Sequence, residues 1–114
     1  MSDSSRLSWE DFLKVEFRAG TIVHAEPNAQ ARKPAYVLKV DLGELGVKTS
    51  SAQITDHYLA AELVGKRVLC VCNFPPKRVA GVRSEVLVTG VHDDAGRVML
   101  AEFPLEAPNG GRLM

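Results

Sequence analysis

Residues 47–74, VKTSSAQITDHYLAAELVGKRVLCVCNF, decide the predicted fold. The segment begins with a strand rich in small polar residues, Val47 to Ile54, and ends with a nearly continuous apolar strand, Val68 to Phe74. Between them, the pattern predicts a helix over Thr55 to Leu63 with a capping residue, an inward-facing side and a glycine stop. Thr55 is the predicted cap and Gly65 the predicted stop. The side chains predicted to face inward are those of Tyr58, Leu59 and Leu63.

Strands are also predicted on both sides of this segment. In the first, Gly20 marks a bend or bulge. In the second, Tyr36, Leu38 and Val40 alternate onto one face, which is the period of a half-buried strand. The flanking strands are Phe17 to Glu26, Ala35 to Leu42, Ser84 to Val91 and Arg97 to Phe103.

The order of elements is strand, strand, strand, helix, strand, strand. A single helix between the third and fourth strands of a small β protein is typical of the OB barrel. We therefore predict an all-β fold, β-rich with short helices: an OB-fold five-stranded barrel with an N-terminal helix and a C-terminal strand extension.

At 114 residues the chain is expected to be one domain, 1–114, with a core of about 15–103. Residues 1–14 are assigned to an N-terminal helix and 104–114 to a tail. The helix itself is predicted over Ser8 to Val15, with Ser8 as N-cap and Asp11 in capping-box position.

Composition and motifs argue against several classes of function. No apolar run is long enough to cross a bilayer, and the first residues are polar, so we expect a cytoplasmic protein without a signal peptide or membrane insertion. Cys70 and Cys72 fall on one face of one strand and are expected to be small buried hydrophobes rather than a disulfide. The three histidines are scattered, so we expect no enzyme activity, no cofactor and no metal site. Asp93 and Asp94 fit turn chemistry better than a cation site.

Positive charge is concentrated in one stretch of a neutral chain. Lys66 to Arg83 carries five basic side chains and no acidic one, while the formal net charge is zero. Within it, Pro75 and Pro76 stiffen a turn next to Lys77 and Arg78, which are therefore presented with little conformational entropy to lose on binding. Such a local positive face can bind phosphates or acidic ligands.

A ligand surface is predicted where this basic loop meets the third strand. By pleat alternation, hydroxyl and amide side chains share one face of that strand, although a solvated polar face explains the same pattern. In an OB barrel this face and its neighbouring loops are the usual binding surface. Of the aromatic residues, Tyr36 and Phe74 alone are candidates for base stacking. The candidate residues are Arg32, Lys33, Thr49, Ser51, Gln53, Asn73, Phe74, Lys77, Arg78, Ser84 and Glu85.

Two apolar elements favour a homodimer. The predicted N-terminal helix and the last strand both expose apolar side chains that a two-fold interface would cover, although packing of the helix on its own barrel remains an alternative. The candidate interface residues are Trp9, Phe12, Leu13, Val98 and Leu100.

Several separated motifs resemble one known family. FRAGTIVHAE, YVLKVDLG, AAELVGKRV and NFPPKRVAGVRSEVLV occur in the order seen in the OB-fold tRNA-binding domain family, over roughly Val15 to Gly111. ARKPA, KTSSAQIT and NFPPKRVAGVRSEVLVTG are closer to its CsaA-type branch of export-related chaperones.

The resemblance implies a homodimer without enzymatic activity. It implies tRNA binding in the wider family, and binding of unfolded or pre-secretory polypeptides in the CsaA-type branch. The basic-loop signature of the family falls on Asn73, Lys77 and Arg78, and its following serine on Ser84. Glu85 departs from the wider family, where a Gly-Met-type pair usually follows that serine; SSAQIT also stands where that family usually has a more apolar, Gly-containing strand. An acidic residue there should weaken a phosphate contact and favours the polypeptide-binding function, with tRNA binding through the same surface as the alternative.

Overall fold

The computed structural model describes residues 5–114, so residues 1–4 of the predicted N-terminal segment lie outside the described residues. The chain forms short helices and many short strands. The helices are α1 Trp9–Leu13 and α2 Ala60–Leu63, with a 3-10 turn at Gly43–Leu45. The strands are β1 Phe17–Pro27, β2 Tyr36–Asp41, β3 Val47–Ala52, β4 Arg67–Val71, β5 Lys77–Val79, β6 Val82–Ser84, β7 Leu87–Val88, β8 Gly90–His92, β9 Val98–Leu100 and β10 Glu102–Phe103.

The main sheet is antiparallel and has the order β10-β4-β1-β2-β3, with β7 also paired to β4. The sheet curls until β3 reaches the segment before β7, where the Thr49 carbonyl accepts hydrogen bonds from the N–H groups of Glu85 at 2.7 Å and Val86 at 3.4 Å. The helix α2 lies between β3 and β4, as the sequence predicted. The β-rich, OB-like fold class is therefore confirmed.

The core lies inside this curled sheet. The alternation predicted for β2 is confirmed, because Tyr36, Leu38 and Val40 are buried and Lys39 is exposed. The same cluster contains Cys70, which forms no disulfide. The remaining buried members are Ile22, Leu42, Ile54, Leu63, Val68, Val86 and Val88.

The helix predicted over Thr55 to Leu63 is much shorter in the structure. Its N-cap is Leu59, whose N–H donates to Glu62 Oε1 at 2.8 Å, so the prediction of Thr55 as cap is wrong. The reason is a tertiary contact: the Tyr36 hydroxyl donates to the Tyr58 carbonyl at 2.7 Å and holds Tyr58 in the non-helical segment before α2. Leu59 is 69% exposed and does not face inward, whereas Leu63 is fully buried.

The strand predicted over Ser84 to Val91 is broken into separate pieces. Ser84 ends β6, and β7 and β8 are short strands that pair with different partners. The prediction of a bulge at Gly20 is also corrected, because the extra residue in β1 is Val23, between the pairs made by Ile22 and His24. A Cβ on Gly20 would lie 2.6 Å from Val40 Cγ1, so glycine permits close approach of β1 and β2 there.

Segments on both flanks of the barrel are ordered by specific hydrogen bonds. Ser8 caps α1 as predicted, since its Oγ accepts from the Asp11 N–H at 3.1 Å, but the helix stops at Leu13. The tail pairs with β1: the Gly110 N–H donates to the Ala19 carbonyl at 2.7 Å, and the Ala19 N–H donates to the Gly111 carbonyl at 2.8 Å. The single-domain division with its core of about 15–103 remains a prediction.

The two leucines at the ends of α2 give a direct test of this core. Leu63→Ala should lower the free energy of unfolding by about 2–5 kcal/mol, because it opens a cavity in the buried cluster. Leu59→Ala, at the exposed N-cap, should change it by no more than about 0.5 kcal/mol. Urea unfolding followed by circular dichroism measures both, and equal losses in the two variants would contradict the observed helix.

Candidate ligand-binding groove

The basic segment after the two prolines forms the hairpin β5–β6. Its strands pair Lys77 with Ser84, Arg78 with Arg83 and Val79 with Val82. The sequence predicted a loop as far as Arg78, so the placement of the two cations on a strand is a correction. The prolines do precede the hairpin, as expected, and a two-residue turn at Ala80–Gly81 with positive φ angles of 47° and 81° allows it to close.

The hairpin is joined to the loop between β1 and β2. The Asn28 side-chain amide donates to the carbonyl of Ala80 at 3.3 Å. Gly81 lies next to the Gln30 side chain, and its φ of 81° favours glycine at this turn position. This contact forms an arch beside the outer edge of β3.

The base of the hairpin is fastened to β3 by side chains. The Ser51 N–H donates to Ser84 Oγ at 3.1 Å, and the Thr49 N–H donates to Glu85 Oε1 at 3.2 Å. The Glu85 carboxylate also lies 3.9 Å from Lys48 Nζ and 3.8 Å from Arg83 Nη1. Ser84 and Glu85 were predicted as ligand contacts, and their side chains also hold the site together.

A groove of about 510 Å³ lies between β3 and the hairpin, and we call it the apolar groove. Its walls are mostly apolar: Phe74, Pro75, Pro76, Val79, Val86 and Leu87. Four polar residues complete it: Ser51, Lys77, Ser84 and Glu85. Phe74 and Leu87 are 57% and 49% exposed, so this groove presents hydrophobic surface to solvent.

A second groove of about 500 Å³ lies under the arch, and we call it the cationic groove. Arg32, Lys33 and Gln53 line it, together with Ala31, Ala35 and Ala80. Ser51 and Val79 line both grooves, so the two are adjacent and form one concave surface.

The structure brings together most of the predicted ligand residues but not all of them. Thr49 lies two residues before Ser51 on β3 and lines neither groove. Its hydroxyl accepts from Lys39 Nζ at 2.7 Å. The Asn73 side chain accepts from the Glu16 N–H at 2.9 Å and donates to the Lys14 carbonyl at 2.7 Å, so it fixes the N-terminal segment. Arg78 is exposed on the hairpin and donates to the Gly81 carbonyl at 3.2 Å. The residues that do line the grooves are Arg32, Lys33, Ser51, Gln53, Phe74, Lys77, Ser84 and Glu85.

One aromatic candidate is excluded from stacking and several apolar residues were missed. Tyr36 is buried in the core, so it offers no ring face to a base. Sequence reasoning did not single out Val79, Val86 or Leu87, which line the apolar groove. The available signal was the positive-φ glycine in VAGV, which is typical of a tight hairpin turn and would have placed Val79 beside the groove.

The titratable groups elsewhere have structural roles. Burial raises the pKa of the Cys70 thiol to about 12, so it does not act as a thiolate. Backbone hydrogen bonding from Arg97, followed by the hydrogen bond from His57, lowers the pKa of Asp93 to about 2. Its carboxylate thereby ties the β8–β9 turn to His57 at 2.8 Å. Within residues 5–114 no group of three or more metal-ligating side chains is close enough to hold a metal ion.

The predicted dimer residues fall into two groups. Trp9 and Leu13 are 60% and 43% exposed on α1, and Phe12 stacks between Trp9 and Phe17 at centroid distances of 5.2 and 6.0 Å. Val98 and Leu100 instead pack against the core of their own chain. Of these predicted dimer residues, only the helical group therefore presents a free apolar surface.

In the described part of the chain, no helix is long and apolar enough to span a membrane.

Comparison with known proteins gives a consistent result. Residues 17–112 match the family model of the putative tRNA-binding domain. The chaperone CsaA from Bacillus anthracis is 50% identical, with a TM-score of 0.88 over 96% of this chain and 99% of that one. The CsaA chaperone protein from Picrophilus torridus is 40% identical, with a TM-score of 0.87 over 96% of this chain and 100% of the other.

A longer protein also contains a similar domain. The methionine–tRNA ligase of Flavobacterium johnsoniae is 35% identical over 104 residues, which is 91% of this chain. The chain spans only 14% of the length of that ligase.

Proposed function

The chain belongs to the putative tRNA-binding domain family and to its CsaA type, and we propose that it is a non-enzymatic, homodimeric, cytoplasmic chaperone that binds unfolded or precursor polypeptides. The observation that carries the proposal is the apolar groove, which exposes hydrophobic side chains beside Lys77, a lysine with no ion-pair partner among residues 5–114. The similarity of the chain to CsaA chaperones over nearly their full length supports the proposal.

The groove has the chemistry needed to bind an apolar segment of an unfolded polypeptide. Covering one large apolar side chain contributes about 1.5–3 kcal/mol, and Phe74 and Leu87 are both available for such contacts. The proline pair in front of the hairpin limits the entropy that ordering would cost. Lys77 at the rim can donate to peptide carbonyls or pair with carboxylates, which adds orientation without strict sequence specificity.

The homodimer is supported by the apolar end of the molecule around α1. Trp9 and Leu13 lie there with Leu7, which is 71% exposed, and a shallow cavity of about 430 Å³ is formed by residues of this region and Met114. A two-fold interface would remove this surface from water.

A second candidate function is tRNA binding through the same face. The family model favours it. Arg32, Lys33 and Lys77 line the grooves, and Arg78 and Arg83 lie on the hairpin β5–β6. With Tyr36 buried, base stacking is limited, so recognition would depend on shape and phosphate contacts.

Removing the two hairpin cations tests the polypeptide-binding function. The Lys77→Ala, Arg78→Ala double variant should bind reduced, carboxymethylated α-lactalbumin about three- to tenfold more weakly, because two rim cations are lost. Suppression of aggregation of a denatured protein without ATP should weaken in parallel. Lys66→Ala, at the other end of β4 and paired with Glu102, is the charge control. Unchanged affinity in the double variant would refute this site.

Salt dependence tests the tRNA function. Gel shifts with bulk tRNA should show affinity that falls steeply as salt rises, because neutralised phosphates release counterions. The slope of log K against log salt should be about 1–2 units shallower for Lys77→Ala, Arg78→Ala. Absence of any shift at low and moderate salt would eliminate this candidate.

Changing α1 tests the homodimer. The native protein should sediment at twice the 12.4 kDa chain mass, and Trp9→Ala with Leu13→Glu should sediment near the single-chain mass. Leu59→Ala, which removes an even more exposed apolar side chain elsewhere, should leave the mass doubled. A double variant that stays dimeric would place the interface on another surface.

A further inference from the structure

The C-terminal tail covers part of an edge of β1. β2 pairs with only the second part of β1, and β4 pairs with the first part on the other side. The tail takes the place that β2 leaves, where the Gly110 N–H and the Gly111 carbonyl both bond to Ala19. The Leu113 N–H continues this ladder to the Phe17 carbonyl at 3.1 Å. The tail therefore satisfies main-chain groups that would otherwise form an open sheet edge.

The tail reaches β1 through Asn109 and Gly110, which form the only Asn-Gly pair in the sequence. The Thr21 hydroxyl donates to Asn109 Oδ1, and the Gly110 N–H donates to the Ala19 carbonyl at 2.7 Å. Thr21 is buried, whereas Asn109 is exposed. The side-chain amide and the next main-chain N–H are thus both held by β1, at a place that water reaches.

An Asn-Gly pair that is not held reacts in a defined way. The glycine nitrogen gives its proton to solvent and attacks the asparagine Cγ, which closes a succinimide ring and releases the side-chain nitrogen as ammonia. Glycine favours the attack because no Cβ obstructs it. Water then opens the ring at one of its two carbonyl carbons. Opening at Cγ gives aspartate, whereas opening at the main-chain carbon gives isoaspartate, with one methylene added to the main chain.

The docked tail opposes this reaction at both reacting groups. The nucleophile, the Gly110 nitrogen, donates its proton to the Ala19 carbonyl and cannot turn toward Cγ while that bond lasts. The electrophile, the Asn109 amide, is held by the Thr21 hydroxyl. The reaction therefore requires a local opening in which the tail leaves β1.

The isoaspartyl product does not fit the docked position. Gly43 packs against the main-chain carbonyl of Asn109 so closely that a Cβ on Gly43 would overlap the oxygen. This contact and the bond from Gly110 to Ala19 leave no room for an added methylene. Aspartate, in contrast, keeps the main chain and an oxygen that can accept from Thr21.

We infer that Asn109 is a modification site, which is converted to isoaspartate through a succinimide while the tail is away from β1, and that the product keeps the tail released. The release extends to α1, because Arg112 Nη2 donates to the Leu13 carbonyl at 3.1 Å and Met114 lines the cavity beside Trp9. The modification thus loosens, in one direction only, the end of the molecule that carries the proposed dimer surface.

Mass mapping of aged native protein tests the inference. Trypsin releases the peptide 98–112, in which Asn109 is the only side-chain amide. At mildly alkaline pH, Asn109 should convert about 10- to 100-fold more slowly than in the synthetic peptide 98–112, because its hydrogen bonds to β1 must first open. It should convert faster than Asn28 and Asn73, which precede alanine and phenylalanine. No conversion in the native protein, or equal conversion of all three asparagines, would overturn the inference.

Two matched variants test the role of the docked tail. Thr21→Val removes the hydroxyl that holds Asn109 and should raise the conversion rate about fivefold. Thr89→Val removes a hydroxyl that bonds within the barrel to the Leu69 carbonyl at 2.8 Å, and should leave the rate unchanged. Equal rates in the two variants would contradict protection by the tail. Should Thr21→Val fail to fold, the comparison of native protein with peptide remains decisive.

The product gives an independent measurement. An isoaspartyl methyltransferase with labelled methyl donor should label the aged native protein but not Asn109→Asp. In NMR hydrogen exchange, the isoaspartyl form should lose protection at the N–H groups of Ala19, Gly110 and Leu113, whereas Asn109→Asp should retain it. An aged protein that contains aspartate alone, or an isoaspartyl form with full protection at these groups, would refute release of the tail.

Discussion

The hydrogen bonding of Thr49 is the constraint on which the rest of the structure depends. Its carbonyl accepts from Glu85 and Val86, and its N–H donates to the Glu85 side chain. These bonds close the curled sheet at Thr49, and the hydrogen bond from the Ser51 N–H to Ser84 Oγ continues the contact along β3. The hairpin β5–β6 lies beside β3, and Ser51 lines the apolar groove together with residues of the hairpin and of its flanking segments.

This arrangement explains why one face is suited to two classes of ligand. The same hairpin that walls the apolar groove carries Lys77, Arg78 and Arg83, and the arch at Asn28 and Ala80 brings the other basic loop beside it. In the two proposed functions, hydrophobic contact would hold a polypeptide and the surrounding cations would contact phosphates. Glu85 moderates the second role, because its carboxylate lies within the basic cluster while it holds β3 in place.

Local patterns predicted the fold class but not the details of the site. The alternation of Tyr36, Leu38 and Val40 was sufficient to identify β2, and Ser8 was sufficient to identify the start of α1. What the sequence did not predict are contacts between distant segments: Tyr36 shortens α2 through the Tyr58 carbonyl, and the Asn73 side chain bonds to the N-terminal segment. The pairing of the tail with β1 is equally non-local. Family resemblance located the basic residues but could not show that Val79 and Val86 share a groove with Ser51.

The most direct test of the central claim is an NMR titration of the labelled protein with an unfolded polypeptide. If the hydrogen bonds of Thr49 to Glu85 and Val86 shape the binding surface, signals from both grooves should shift together. These are the amide signals of Ser51 and Gln53 and the methyl signals of Val79 and Val86. The signals of Val91 and Met99, which are exposed on the β8–β9 hairpin, should remain unchanged. Shifts confined to Val91 and Met99, with none in the two grooves, would contradict the account.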